Sequence, residues 1–88
     1  MAKLLVVDDQ RNMRTSLVMM LRGAGYDVDE AVDGAAGADL GAKGAYDVVL
    51  TDLRMGAVDG LSVLRAIKES SAGCEVVVMT AYGTIENA

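Results

Sequence analysis

The chain has 88 residues, 52% of them hydrophobic, which is typical of one small globular domain, and we treat residues 1–88 as that domain. Its formal net charge of -5 argues against the basic surfaces that bind nucleic acid or anionic membranes. The sequence has no histidine and one cysteine, which excludes histidine-based catalysis, histidine metal sites and an internal disulfide.

Short apolar runs indicate the strands. The first run, residues 4–7, predicts a strand buried on both faces of a parallel sheet. No run approaches the roughly 20 residues of a membrane span, and no basic-then-apolar leader opens the chain. We therefore expect a cytoplasmic protein with no membrane partner.

A first helix is predicted after this strand. Gly23 and Gly25 mark its end. Its apolar residues recur at helical spacing, and we expect that face to pack on the core. The residues of this face are Met13, Leu17, Met20, Leu21 and Ala24.

The next two elements are weaker. Residues 26–31 alternate in polarity and predict a polar edge strand. Asp33 lies in a turn that can cap the following helix, predicted over residues 35–43. The apolar face of that helix is mostly alanine and is interrupted by Gly37 and Gly41, so its intrinsic stability is low.

The second half of the chain repeats the pattern. Residues 47–52 predict an apolar strand that ends in a carboxylate, and residues 75–80 predict a fourth strand. Between them a helix opens at Gly60. Its apolar face is predicted to hold Leu61, Leu64 and Ile67.

Two smaller features complete the chain. Cys74 lies beside the fourth strand and is expected to be a small core residue, and residues 85–87 begin a further helix. The alternation of strands and helices predicts an α/β fold, a doubly wound parallel sheet with right-handed crossovers and helices on both faces.

Polar residues collect after the strands, where open parallel sheets bind their ligands. Asp8 and Asp9 follow the first strand, Asp52 ends the third, and Thr80 ends the fourth. If the first and third strands are neighbours, at a spacing of about 4.8 Å, the carboxylates share one small pocket.

These carboxylates have two interpretations. Each could cap a helix or a turn, which stabilises a protein by only about 1 kcal/mol. Two carboxylates about 4 Å apart repel each other by about 4 kcal/mol at an effective dielectric of about 20, so capping alone does not explain a cluster. A raised carboxyl pKa or a bound hard cation would relieve the repulsion, and Mg²⁺ takes such oxygen ligands together with a phosphate. We favour a cation site at which one aspartate could accept a phosphoryl group.

Four short motifs carry this pattern: LVVDD at residues 5–9, VVLTDLRM at 48–55, DGL at 59–61 and VVVMTA at 76–81. As a set they resemble the receiver domain of bacterial two-component response regulators, and the resemblance covers the whole chain. Residues 50–55 and 80–88 are most similar to the nitrogen-regulation (NtrC) class of transcriptional activators. The implied architecture is the flavodoxin-like receiver fold.

The resemblance also implies roles for the acidic residues. Asp52 would be the phosphoacceptor. Asp9, Asp52 and the backbone carbonyl of Arg54 would bind Mg²⁺, and Asp8 would hold a metal-bound water.

Further roles follow the fourth strand. Thr80 would hydrogen-bond a phosphoryl oxygen, and Ala81 would offer its backbone N–H. Tyr82 is a candidate switch residue that reports phosphorylation by moving between exposed and packed positions, with a loop aromatic of purely structural role as the alternative. The phosphoryl group would come from a phosphohistidine on a sensor histidine kinase, and the change would pass to an output domain or partner in transcription regulation.

The sequence departs from the family pattern in two ways. Gly56 replaces the usual proline, which gives the loop more conformational freedom. The resemblance implies a fifth strand, a lysine at the end of that strand and a fifth helix, which would all lie beyond Ala88. We therefore expect a fold without its last strand and helix, and impaired phosphorylation because that lysine would pair with the phosphoryl group. The strand at residues 76–79 would then be an open apolar edge prone to self-association.

Two functions remain as hypotheses. The first is a phosphorylation-dependent switch that is not an enzyme beyond its own phosphorylation. The alternative is a receiver-like docking or assembly module that accepts no phosphoryl group. A nucleotide- or flavin-binding domain is disfavoured because no glycine-rich phosphate loop follows the first strand.

Overall fold

A computed structural model of the chain describes residues 2–44, 46–52, 60–70, 73–79 and 85–87. The described strands form one sheet in the order β2-β1-β3-β4-β5. The strands are β1 (Lys3–Val7), β2 (Asp27–Ala31), β3 (Val48–Asp52), β4 (Glu75–Met79) and β5 (Ile85–Asn87), and the helices are α1 (Arg11–Gly23), α2 (Gly34–Lys43) and α3 (Gly60–Ser70). Strands β1 to β4 are parallel, as predicted, and β2 is the polar edge strand.

Both faces of the sheet carry a core, which confirms the doubly wound arrangement. In β1, Leu5 and Val7 belong to the larger core with residues of α3, whereas Leu4 and Val6 belong to a smaller core with Val18 of α1. This alternation follows from the two-residue period of a strand. The predicted core residue Cys74 is only 2% exposed.

The predicted apolar face of helix α1 packs only in part, since Leu17 and Leu21 contact the smaller core as predicted. Val18 is buried, while Met13 and Met20 are 52% and 64% exposed, so the expectation that these methionines face the core is wrong. Two arginines also connect the helix to backbone carbonyls outside it. Arg14 and Arg22 both turn toward the sheet side and donate hydrogen bonds to the backbone carbonyls of residues 8 and 28. The helix ends as predicted, and Gly25 adopts a positive φ of 98°.

Helix α2 begins as predicted. The side chain of Asp33 accepts a 2.8 Å hydrogen bond from the backbone N–H of Ala36, which caps the helix. The helix is continuous through Gly37 and Gly41, both of which are buried. A Cβ at Gly41 would lie 2.5 Å from Cδ1 of Ile67, so the small residues that lower helix propensity are also those that allow close packing.

Helix α3 packs on the same side of the sheet as α2. Val63 and Ile67 are fully buried, and Leu64 packs partly against the same core. Leu61 is 48% exposed, so the prediction that it shares the packed face with Leu64 and Ile67 is wrong. The contact with the sheet is centred on positions 63 and 67, which are one helical turn apart, and this places position 61 on the outer side.

The end of the chain differs most from the prediction. Residues 85–87 were expected to begin a helix, but they form β5, which pairs antiparallel with β4. Val77 pairs with Asn87 and Met79 with Ile85, so the expected helix and the expected open edge of β4 are both wrong over these residues. The pairing supplies hydrogen-bond partners for backbone groups that an edge strand would leave free, and it removes the reason to expect self-association there.

None of the described helices is long and apolar enough to cross a membrane.

Candidate functional site

The acidic residues that follow β1 and β3 meet at one end of the sheet. Strands β1 and β3 are adjacent, and Val7 pairs with Thr51, so continuing this register sets Asp8 level with Asp52. Asp8, Asp9 and Asp52 each offer one carboxylate oxygen, and these atoms all lie within 4.8 Å of one another. The predicted neighbourhood of the three carboxylates is therefore present.

The three carboxylates differ in exposure, and this affects their charge. Asp8 is only 2% exposed, Asp52 is half-buried and Asp9 is exposed. Burial raises the pKa of the Asp8 carboxyl above its usual value, and the negative charges of Asp52 and Asp9 raise it further. The backbone N–H of Gln10 and the positive charge of Arg14 act in the opposite direction. The cluster is thus a site of concentrated negative charge in which burial and repulsion prevail at Asp8.

Three hydrogen bonds fix the turn between β1 and α1. The Asp8 N–H donates to the carbonyl of Ala31, at 3.2 Å, and the Asp8 carboxylate accepts from the N–H of Gln10, at 2.8 Å. The Asp8 carbonyl accepts from Nη1 of Arg14, at 2.9 Å. The backbone of Asp8 is therefore held from both sides, and its carboxylate is tied to the start of the helix.

The capping interpretation fails for the first helix. Gln10 is the N-cap of α1, and no side-chain capping hydrogen bond is present there. The first turn of α1 also contains no acidic residue, although a helix N-terminus favours negative charge. Asp9 therefore precedes the helix without capping it, and its place beside Asp8 and Asp52 calls for another explanation.

The donor set suits a hard divalent cation. Carboxylate oxygens are the ligands that Mg²⁺ and Ca²⁺ prefer, and anionic ligands close together bind such ions favourably because the ion removes their mutual repulsion. The three oxygens are close enough together to share one ion, and exposed Asp9 leaves the cluster open to solvent. The residues present thus fit the Mg²⁺ predicted from the sequence.

Several predicted site residues lie outside the described part of the chain. These are Arg54, Gly56, Thr80, Ala81 and Tyr82. Among the described residues, the structure brings together Asp8, Asp9 and Asp52, as predicted.

Sequence reasoning missed Arg14 and its partner Glu30. The Nε of Arg14 donates a 2.8 Å hydrogen bond to Glu30, and its Nη1 donates to the carbonyl of Asp8. No pattern along the chain could have found this pair, because the contact with Glu30 joins residues 16 positions apart on different elements.

The doubly wound sheet and its carboxylate cluster define an α/β domain with an acidic site at the carboxyl ends of β1 and β3. Residues 4–88 match the response regulator receiver domain, and the chain belongs to this family. Receiver domains of this family act in two-component signalling.

Curated relatives agree with this assignment. The transcriptional regulatory protein ZraR of Escherichia coli strain K12 is 39% identical over 85 residues, which cover 97% of this chain and 19% of ZraR. The sporulation initiation phosphotransferase F of Bacillus subtilis strain 168 is 33% identical over 84 residues, which cover 96% of this chain and 68% of that protein. The chain thus spans about a fifth of the length of ZraR and about two thirds of the length of the sporulation protein.

Solved structures agree as well. The response regulator TrrA of Thermotoga maritima, in complex with Mg²⁺-BeF, superposes with a TM-score of 0.87 at 34% identity, covering 93% of this chain and 71% of that one. The chemotaxis protein CheY4 of Vibrio cholerae gives a TM-score of 0.86 at 29% identity, covering 96% of this chain and 72% of that one. TrrA has also been solved in complex with the histidine kinase ThkA, with a TM-score of 0.85 at 33% identity and coverage of 96% and 72%.

Proposed function

We propose that this receiver domain accepts a phosphoryl group on Asp52 from a phosphohistidine of a sensor histidine kinase, with Mg²⁺ as cofactor, in the cytoplasm. The single observation that carries the proposal is the carboxylate cluster of Asp8, Asp9 and Asp52. The kinase partner is supported by the complex in which the similar TrrA is bound to ThkA. The choice of Mg²⁺ is supported by the cluster's oxygen donors and by the Mg²⁺-BeF complex of TrrA.

The metal ligands follow from the cluster and the resemblance. Asp9, Asp52 and the backbone carbonyl of Arg54 would hold Mg²⁺, and Asp8 would hold a metal-bound water. The chemistry that Mg²⁺ supplies at such a site is charge neutralisation between the carboxylate and the phosphoryl oxygens. The residues themselves provide the open, anionic pocket in which a phosphoryl group can approach.

Burial disfavours Asp8 as the phosphoacceptor, and the choice of Asp52 over the exposed Asp9 follows the family resemblance. Asp8 is buried, and one of its oxygens accepts the hydrogen bond of the Gln10 N–H. Asp52 ends β3 and is half-buried, which leaves its carboxylate within reach of a donor. An oxygen of the ionised Asp52 forms the new bond to phosphorus while the bond from phosphorus to the histidine nitrogen of the kinase breaks, and the imidazole that departs takes its proton from solvent.

The donor must come from outside the chain, because the sequence contains no histidine. In the product, Thr80 would donate its hydroxyl hydrogen to a phosphoryl oxygen and Ala81 would donate its backbone N–H. Tyr82 would move between exposed and packed positions as the site is phosphorylated. The change would pass to an output domain or partner in transcription regulation, in the manner of the nitrogen-regulation class, and the name of the similar ZraR supports a transcriptional output.

The test is phosphorylation of the chain by acetyl phosphate with Mg²⁺, read by intact mass. We expect a gain of one phosphoryl group that requires Mg²⁺ and is absent in Asp52→Asn. Asp39→Asn is a matched control, since Asp39 pairs with Lys43 on the exposed surface of α2, away from the cluster, and it should be labelled like the unmodified chain. Mg²⁺ binding without any mass gain would contradict the proposal and favour the docking or assembly module.

A further inference from the structure

Arg14 connects the carboxylate cluster to the edge strand β2. Its Nε donates to Oε1 of Glu30 at 2.8 Å, and its Nη1 donates to the backbone carbonyl of Asp8 at 2.9 Å. The Arg14 side chain is only 12% exposed, and that of Glu30 is 41% exposed. One guanidinium thus binds two acceptors, one on β2 and one in the turn between β1 and α1.

The Asp8 carbonyl that Arg14 binds belongs to the peptide group that links Asp8 to Asp9. A peptide group is planar, so a hydrogen bond to the Asp8 carbonyl also fixes the orientation of the Asp9 nitrogen in the same plane. The Asp9 carboxylate makes no hydrogen bond or ion pair with the residues that the structure describes. Its place in the cluster is therefore set through its backbone, and the bond from Arg14 acts directly on that backbone.

The side chain of Arg14 makes its contacts outside its own helix. The backbone N–H of Arg14 donates to the carbonyl of Gln10, at 2.9 Å, so the residue follows the unpaired N–H groups of the helix N-terminus. Its guanidinium donates to Glu30 of β2 and to the Asp8 carbonyl. Glu30 orients the planar guanidinium, which presents its N–H groups in a fixed fork that a lysine ammonium lacks.

We propose that Arg14, oriented by Glu30, is a positioning residue for the cation site: it fixes the peptide between Asp8 and Asp9 so that the Asp9 carboxylate meets Asp52. The inference deepens the proposed function, since it rests on the same site binding Mg²⁺. The hydrogen bonds of Arg14 to described residues go to Glu30 and to the Asp8 carbonyl, not to a carboxylate of the cluster. Arg14 acts through the backbone, as groups around metal ligands commonly do.

Arg14→Lys is the decisive variant because it keeps the positive charge and loses the fork. We expect Mg²⁺ affinity, measured by titration calorimetry on the 88-residue chain, to fall by about tenfold. Arg14→Gln should also weaken Mg²⁺ binding. Removing a positive charge would by itself strengthen cation binding, so a fall in this variant identifies the loss of positioning.

Arg22 provides the matched control. It lies on the same helix, and its Nη2 donates a 2.8 Å hydrogen bond to the backbone carbonyl of Val28 on the same strand as Glu30. It makes the same kind of contact as Arg14 at the far end of α1. Both Arg14→Lys and Arg22→Lys should lower the Tm, because each weakens a hydrogen bond to a backbone carbonyl. The Mg²⁺ affinity of Arg22→Lys should nevertheless remain within about twofold of the affinity of the unmodified chain.

Glu30→Gln provides a second route if Arg14→Lys fails to fold. Glu30 is exposed on an edge strand, so its substitution should leave the fold intact. We expect a smaller fall in Mg²⁺ affinity, about threefold, and little further loss when Glu30→Gln is added to Arg14→Lys, because the two residues act as one unit. Fully additive losses would contradict the role given to Glu30.

The outcomes separate this inference from the proposed function. Unchanged or tighter Mg²⁺ binding in both Arg14 variants, or an equal fall in Arg22→Lys, overturns the role of Arg14 even when Asp52 is phosphorylated. Weaker binding in the Arg14 variants together with no phosphorylation of the unmodified chain upholds Arg14 and overturns the phosphoacceptor function. An unmodified chain that binds no Mg²⁺ overturns both.

Discussion

Gly37 of α2 lies directly against Val7, the residue that precedes Asp8. A Cβ at Gly37 would stand 2.5 Å from one methyl carbon of Val7 and 2.7 Å from the other. Val7 is fully buried, and its branched side chain is stiff about its first torsion, so it has little freedom to move away from an added Cβ. The close approach of α2 to β1 therefore requires glycine at this position.

Gly37→Ala should destabilise the chain by about 1 to 2 kcal/mol. The overpacking cost of about 1 to 3 kcal/mol exceeds the gain of up to about 1 kcal/mol from the higher helix propensity of alanine. Urea unfolding checks this. Gly23→Ala is the control, because a Cβ at Gly23 would meet nothing within 4 Å, and it should be neutral or slightly stabilising.

Asp8→Asn should stabilise the metal-free chain at neutral pH, because it removes a buried charge that two neighbouring carboxylates repel. The pKa of the Asp8 carboxyl is raised by burial and by the charges of Asp52 and Asp9, so ionised Asp8 is disfavoured in the folded state. The protonated Asp8 carboxyl stabilises the folded chain fully below the unfolded-state pKa of about 4, and this stabilisation is lost as the pH rises through the raised pKa of the folded state. The asparagine oxygen can still accept the hydrogen bond from the Gln10 N–H.

Thermal unfolding at pH 4 and pH 7, with and without Mg²⁺, measures this effect. The advantage of Asp8→Asn over the unmodified chain should be larger at pH 7 than at pH 4 and should shrink when Mg²⁺ is added, since a bound ion stabilises the folded state. Asp39→Asn, which removes only an exposed pair with Lys43, should show no gain. A loss of metal-free stability in Asp8→Asn at pH 7 would contradict the prediction.

Tyr46 should govern part of the alkaline stability. Burial and the 2.7 Å hydrogen bond that its hydroxyl donates to Asp29 raise the pKa of Tyr46 to about 12. The protonated form is thus favoured in the folded state, so this stability is complete below the unfolded-state pKa of about 10 and is lost as the pH rises through about 12.

Tyr46→Phe should lower stability at neutral pH by about 1 kcal/mol, through loss of the hydrogen bond, and should remove this alkaline decline. Urea unfolding between pH 8 and pH 12 measures both effects. Tyr26→Phe is the matched control, because Tyr26 is 42% exposed, and it should change neither. An unaltered alkaline decline in Tyr46→Phe would show that another group causes it.

Val18 is buried and Met20 is exposed on the same helix α1, so substitutions of these two residues should differ in their effect on stability. Val18→Ala should cost about 1 to 3 kcal/mol, because Val18 is 3% exposed and packs with Leu4, Val6 and Val28. Met20→Ala should change stability by no more than about 0.5 kcal/mol, because Met20 is 64% exposed. Chemical denaturation compares them, and equal losses would mean that the methionine packs on the core in solution.

The strand ends and the cluster could be predicted because their signals are local. An apolar run closed by a carboxylate identifies the carboxyl end of a buried strand, and the pairing of β1 with β3 brings Asp8 and Asp52 together. The Asp33 cap was predictable for the same reason, since a side chain and an N–H three residues apart decide it.

The remaining features depend on contacts that the sequence does not display. In α1 the spacing of apolar residues does not distinguish Val18, which is buried, from Met20, which is exposed, because the packing partners of Val18 lie on β1 and β2. Residues 85–87 form a strand by pairing with backbone groups of β4 that would otherwise be free. The local sequence of these three residues does not reveal that partner. The link from Glu30 through Arg14 to Asp8 spans three elements and has no pattern along the chain.

The turn that carries Asp8 and Asp9 is hydrogen-bonded to β2, so cation binding is coupled to the opening of that strand. Both the Asp8 amide and the Arg14 guanidinium are attached to β2, which lies at one edge where strands open most readily. Each opening of that edge frees the carboxylates to spread apart. A divalent ion that draws them together should therefore slow deuterium uptake along Asp27–Ala31, a strand that contributes none of the three carboxylates.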